Sequence, residues 1–149
     1  MVHGRVNSAA LRWVFAAGLL LASGGVTAQA PGTPLANDTP YRIFFDWGEF
    51  EVSRDGAATL DEVAERLRQP GAGTVTLVGH SDRSGPVAAN RRSALQRASA
   101  VRDYLERRGV APAQLQLASH GEDRPIIATA DGVREPQNRR VDVLLAQIP

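Results

Sequence analysis

The chain has 149 residues, 17 basic against 16 acidic side chains and a net charge of +1. Every basic residue is an arginine, and these arginines are spread along the chain among few aromatics, which excludes a nucleic-acid-binding module. There is no cysteine, so disulfides and thiolate zinc sites are excluded.

The first thirty residues read as a secretory signal peptide. His3, Arg5 and Arg12 give a basic start, and the apolar run Trp13–Ala22 is too short to span a bilayer, which takes ~20 residues. Val26-Thr27-Ala28 and Ala28-Gln29-Ala30 both present small residues for a signal peptidase, and cleavage is expected after Ala30. Retention of the segment as an uncleaved membrane anchor is the alternative. No cysteine follows the run to carry a lipid. Without Arg5 and Arg12 the remaining 15 arginines face 16 acids, so the exported chain is slightly acidic and its whole-chain pI of about 8.4 misleads. Residues 31–40 (PGTPLANDTP) read as a Pro/Asn/Thr linker, and residues 41–149 as one domain.

Tyr41–Phe45 is β-rich and opens the domain as a strand. Ser53 or Asp55 then caps a helix whose apolar stripe is Leu60, Val63, Ala64 and Leu67, and Gln69-Pro70-Gly71 stops it. Val75, Leu77 and Val78 form a short apolar strand ending at Gly79. A polar, Gly-containing loop leads into a second helix beginning near Val87 or Ala88. The expected core stripe of this helix is Leu95, Ala98, Val101 and Leu105, and Gly109 ends it. Gln114–Leu117 alternates with period two, as does Val141, Val143 and Leu145, marking two further strands. The irregular stretch Pro125–Gln137 between them is long for a compact domain and has the length of a functional loop. The order β-α-β-α-β-β implies an α+β fold: a mixed sheet with both helices on one face and the other face open to water or a partner.

Thr74–Ala98 carries the densest chemistry. Asp82 follows a strand, and Asn90, Ser93, Ala94 and Arg97 share one helix face at i, i+3, i+4 and i+7. A carboxylate and a guanidinium on two rigid elements can grip a small zwitterion; they can equally pair with each other on the surface. Gly79-His80-Ser81 lacks the closing glycine of a nucleophile elbow, with Arg83 in its place, which argues against a serine hydrolase. His80 and His120 each follow a strand, but nothing in their spacing defines a metal geometry. No catalytic machinery, metal or cofactor is expected.

Gly79-His80-Ser81-Asp82, Gly85, Asn90 and Arg97-Ala98 together resemble the signature of the OmpA-like C-terminal domain family, with Ser81 in the place of the usual threonine. Phe45-Asp46, Gly121-Glu122 with Pro125, and Asn138-Arg139-Arg140-Val141 are similar to its flanking motifs, so the resemblance covers about residues 41–146. It implies a periplasmic domain that binds peptidoglycan non-covalently, anchoring or positioning something at the cell wall, and that reaches the outer membrane through an envelope or outer-membrane protein. It implies that Asp82 takes the ammonium and Arg97 the carboxylate of diaminopimelate in the stem peptide, with Asn90, Ser81, the backbone around Asp46, and Arg140 as further contacts. Ser93-Ala94, in place of Leu-Ser, and Glu49, in place of a small polar residue, depart from the pattern. The same fold used as a protein–protein interaction module without glycan contact is the alternative.

Overall fold

The computed structural model describes residues 39–146, so the signal segment and residues 31–38 of the linker lie outside the described residues. Among them are four strands and two α-helices: β1 (Tyr41–Phe44), α1 (Arg54–Leu67), β2 (Thr74–His80), α2 (Val87–Arg107), β3 (Leu115–Gly121) and β4 (Arg140–Ala146). This is the expected β-α-β-α-β-β order; most strand ends move by one or two residues, while β3 starts one residue later than expected and runs on four residues further, to Gly121.

Ser53 is the residue that caps α1: its backbone is extended and its hydroxyl accepts from the Gly56 amide at 3.2 Å. The stripe Leu60, Val63, Ala64 and Leu67 is buried along its whole length. At the far end of α2 the chain closes in a Schellman turn. Gly109 adopts φ +85°, Val110 donates to the Leu105 carbonyl (3.1 Å), and Gly109 donates to that of Glu106 (3.0 Å). Val110 and Leu105 are both buried, supplying the apolar contact that accompanies this turn.

The core stripe of α2 differs from the expected one. Leu95 is 45% exposed, and Ala94 takes its place beside Ala98, Val101 and Leu105. The reason is close approach. A Cβ built on Gly79 in β2 would stand 1.9 Å from the Ala94 carbonyl oxygen, so helix and strand meet backbone to backbone with room for nothing larger than alanine. Leu95, one residue on, is turned about 100° away from the sheet.

The sheet order is β1-β4-β2-β3. β2 and β3 are parallel, joined by the α2 crossover, whereas β4 lies between β1 and β2 and is antiparallel to both. The last strand therefore completes the middle of the sheet. Ile43, Val75, Leu77, Val141 and Val143 point to the helices and form the core with the two helical stripes. The opposite face carries Arg42, Phe44, Thr76, Gln116 and Leu144, none of them fully buried, while Val78, His80 and Arg140 toward its other end are buried.

The start of the long segment before β4 is pinned by one buried side chain. Buried Asn138 accepts from the Ile126 and Ile127 amides at 2.8 and 3.0 Å and donates to the Ile127 carbonyl at 2.8 Å. Asn138 thus does for this segment what a strand ladder does elsewhere.

Gly79→Ala is expected to destabilise the domain by about 3 kcal/mol, because the obstructing atoms are backbone and cannot turn aside. A lowered urea midpoint at an unchanged slope checks this; a midpoint equal to wild type would mean that α2 can lift off β2 at little cost.

Candidate ligand-binding site

β2 runs out at His80, and the next two residues turn inward. The Ser81 amide donates to the Gly121 carbonyl at 2.7 Å, which places Asp82 at the C-terminal edge of the sheet, beside the start of α2. Asp82 is 1% exposed, and its carboxylate is fully engaged. Oδ1 accepts from the Ser84 amide (3.3 Å) and hydroxyl (2.6 Å); Oδ2 accepts from the Glu135 amide (3.2 Å) and from Arg139 Nη1 (2.8 Å). Burial by itself would raise this carboxyl, but the bonds from Ser84, Arg139 and the Glu135 amide outweigh it and hold it below the ordinary aspartate value.

Arg139 is the ionic partner of Asp82, rather than Arg97, the partner that spacing alone allowed. Arg139 is itself buried and also donates from Nε to the Phe45 carbonyl at 3.1 Å. Arg97 is 3% exposed and forms no ion pair with a carboxylate among the described residues. Its guanidinium sits between the rings of Phe45 and Phe50, 5.8 and 5.5 Å from their centroids, and Nε donates to the Glu49 carbonyl at 3.3 Å. Nη1 is buried with no partner among the described residues. Burial, with the charge of Arg139 adding to it against that of Asp82, lowers this guanidinium to about 10.

These groups line a cleft of about 200 Å³ with Trp47, Gly48, Phe50, Ser81, Ser84, Gly85, Asn90 and Ser93. Of the residues expected from the sequence, it brings together Asp82, Arg97, Asn90 and Ser81. Asn90 Nδ2 donates to the Gly85 carbonyl at 2.9 Å and to Glu122 Oε2, so it braces the loop as well as lining the cleft. Of the two departures in the helix, Ser93 lines the cleft and Ala94 is the close-packing residue on Gly79.

Arg140 lies elsewhere, and so does the Asp46 side chain, the expected contact there being the backbone around it. Arg140 alternates onto the open sheet face, where its Nε donates to Asp142 Oδ1 at 2.9 Å and Asp142 also meets His80 at 3.2 Å. Strand periodicity puts Arg139, not Arg140, on the helix side with Val141. The Asp46 side chain lines a neighbouring open groove of about 710 Å³, with Phe44, Glu49, Glu51 and Pro136 among its walls; it is Trp47 and Gly48 that reach the cleft from this loop. Trp47 and Phe50 were not legible as site residues, because a loop has no periodicity to assign its side chains to a face. Among the described residues no group of His, Asp and Glu could hold a metal ion. Likewise, no described helix is long and apolar enough to cross a membrane.

Comparison with known proteins agrees with this architecture. The OmpA family pattern matches residues 44–139. The peptidoglycan-associated lipoprotein of Rhizobium meliloti is 37% identical over 133 residues, covering 87% of this chain and 73% of the relative. That of Pseudomonas aeruginosa is 36% identical over 68% of this chain and 60% of its own length. The crystal structure of the Burkholderia pseudomallei peptidoglycan-associated lipoprotein superimposes with a TM-score of 0.64 at 30% identity, over 69% of this chain and 87% of that one. The chain belongs to the OmpA family.

Asp82→Ala is expected to cost about 3–5 kcal/mol, since it leaves Arg139 as a buried cation without its ion-pair partner. The native contribution of Asp82 is complete above pH 3.8 and fades as the pH falls below it toward the lowered folded value. Denaturant titrations at neutral pH and below pH 3.8 should therefore show the gap between variant and wild type shrinking in acid. A gap independent of pH would mean that Asp82 acts by packing alone.

Proposed function

We propose that this domain binds the stem peptide of peptidoglycan reversibly in the periplasm and serves as an anchor at the cell wall. The observation that carries the reading is Arg97: a buried guanidinium in a cleft, with Nη1 unpartnered among the described residues, while the Asp82 carboxylate lining the same cleft is already neutralised by Arg139. Burying a cation without a counter-charge is costly, and a ligand carboxylate in the cleft repays that cost. The amides at the start of α2 add positive potential on the same side.

Diaminopimelate presents both groups that such a site needs. Its carboxylate meets Arg97 Nη1. Its ammonium reaches Asp82 Oδ1 by taking the place of the Ser84 hydroxyl, a donor that can rotate away, whereas Oδ2 stays committed to Arg139. Asn90 and Ser81 hold the loop that frames the ligand. The names of the R. meliloti and P. aeruginosa relatives, peptidoglycan-associated lipoproteins, support the same assignment. No step of this reading needs bond chemistry, so the domain acts as a binding module and not as an enzyme. It reaches the outer membrane through a partner.

The neighbouring groove favours a second role in the same protein. Phe44 is 47% exposed on the edge strand β1, and Asp46, Glu49 and Glu51 beside it form no ion pair among the described residues. This is a surface for an envelope protein that leaves the cleft free.

Arg97→Ala should lower binding to diaminopimelate-type peptidoglycan by about tenfold or more, one charge-assisted bond being worth ~1.5–3 kcal/mol. The fold should persist, because Arg97 makes a single hydrogen bond within the domain. Co-sedimentation with purified wall material, beside circular dichroism of the variant, tests this; undiminished sedimentation of a folded variant refutes the site.

A further inference from the structure

Beside the cleft, stacked on one of its lining residues, stands a further cation that neither the family signature nor the expected contacts include. Arg134 stacks on Trp47 with its guanidinium carbon 3.8 Å from the ring centroid. The two residues belong to different walls. Trp47 stands on the loop after β1 and lines the cleft, 54% exposed. Arg134 immediately precedes Glu135, whose backbone amide is bonded to Asp82 Oδ2. The stack thus closes a ring of contacts from the cleft floor, through the segment before β4, over the indole and back to the cleft wall.

Stacking of this kind uses the flat face of the guanidinium and leaves its N–H edge available. Arg134 forms no ion pair or hydrogen bond among the described residues. The exposed arginines nearest the cleft are otherwise occupied: Arg83 meets Asp131 at 3.1 Å and Glu122 at 3.7 Å, and Arg91 meets Asp123 at 3.2 Å. A long side chain normally loses rotamer freedom on gripping a ligand, and one already held on an indole loses less.

The charges make the same point. Asp82 and Arg139 cancel, and Glu122 is held by Asn90 and Arg83. Arg97 inside and Arg134 beside the cleft form no ion pair among the described residues, and the unpaired carboxylates of the loop after β1, Asp46, Glu49 and Glu51, belong to the neighbouring groove and not to the cleft lining. A ligand with one carboxylate and one ammonium satisfies Arg97 and Asp82 but leaves Arg134 unmatched. We infer that Arg134, oriented by Trp47, is a second carboxylate anchor, so that the cleft selects ligands bearing a further carboxylate beyond the one held by Arg97. The inference rests on the stem-peptide reading above and deepens it, because stem peptides carry more than one free carboxylate unless these are amidated.

The test uses the intact purified protein and three synthetic probes: the tripeptide L-Ala-γ-D-Glu-diaminopimelate, the same peptide amidated at the D-Glu carboxylate, and the same peptide amidated at its C-terminus. Affinities are measured by calorimetry for wild type, Arg97→Ala, Arg134→Gln and Trp47→Ala. Wild type should lose about three- to fivefold in affinity on one of the two amidations, the size fitting a solvent-exposed ion pair. Arg134→Gln should bind the acid tripeptide three- to fivefold more weakly and be indifferent to that same amidation. Trp47→Ala should reproduce this indifference, since it frees the Arg134 side chain, whereas Trp47→Phe should keep the discrimination. If Arg134→Gln responds to both amidations as wild type does, while Arg97→Ala still weakens binding by about tenfold or more, the second anchor is overturned and the stem-peptide reading stands. If wild type binds none of the probes, or Arg97→Ala binds them as wild type does, both readings fall.

Discussion

The ion pair between Asp82 and Arg139 is the interaction on which the rest of the site depends. It joins the loop after β2 to the residue preceding β4, two strands that lie side by side in the sheet although 57 residues separate the paired side chains. Each partner then holds a further segment. Arg139 donates to the Phe45 carbonyl and so fixes the loop after β1, while Asp82 accepts from the Glu135 amide and so fixes the end of the long segment before β4. A buried pair of this kind contributes little net stability once desolvation is counted. What it supplies is arrangement: with Arg139 committed to Asp82, Arg97 has no internal counter-charge.

The position of Arg97 follows from a packing constraint elsewhere. Gly79 lets α2 approach β2 until backbone meets backbone at Ala94. From that contact the helical repeat dictates the rest: Ala98, Val101 and Leu105 continue into the core, while Asn90 and Arg97 come up beside them near the sheet edge. The aromatic rings of Phe45 and Phe50 take the apolar faces of the Arg97 guanidinium, which is how a charged group is accommodated at that depth. The same close approach explains why Leu95, an apolar residue at an apparently suitable spacing, lies outside: a leucine at the contact point would not fit.

Family membership accounts for the frame but not for everything on it. The C-terminal domain of Helicobacter pylori MotB shares the fold at a TM-score of 0.61 with 21% identity, so the sheet order and the two helices tolerate wide sequence change. Trp47, which lines the cleft, and Arg134, stacked on it, are loop residues that carry no burden of core packing.

Much of the fold was legible in the chain because it rests on periodicity. The stripe Leu60, Val63, Ala64 and Leu67, the alternation of Val141 and Val143, and the stop signals at Gly109 and Gln69-Pro70-Gly71 are local properties, and local backbone geometry is enough to turn them into elements. The clustering of Asp82, Ser81, Asn90 and Arg97 was legible for the same reason, since one loop and one helix carry all four. The choice of ion-pair partner was not. Whether Asp82 meets Arg97 or Arg139 depends on β4 inserting between β1 and β2, a non-local pairing that no spacing along the chain records. The placing of Arg140 on the open face, of Asp46 in the adjacent groove, and of Trp47 against Arg134 was decided the same way. Sequence alone determined which elements form and which faces they bury; tertiary structure decided which charges meet, because electrostatic partners are chosen by distance in space and not by separation along the chain.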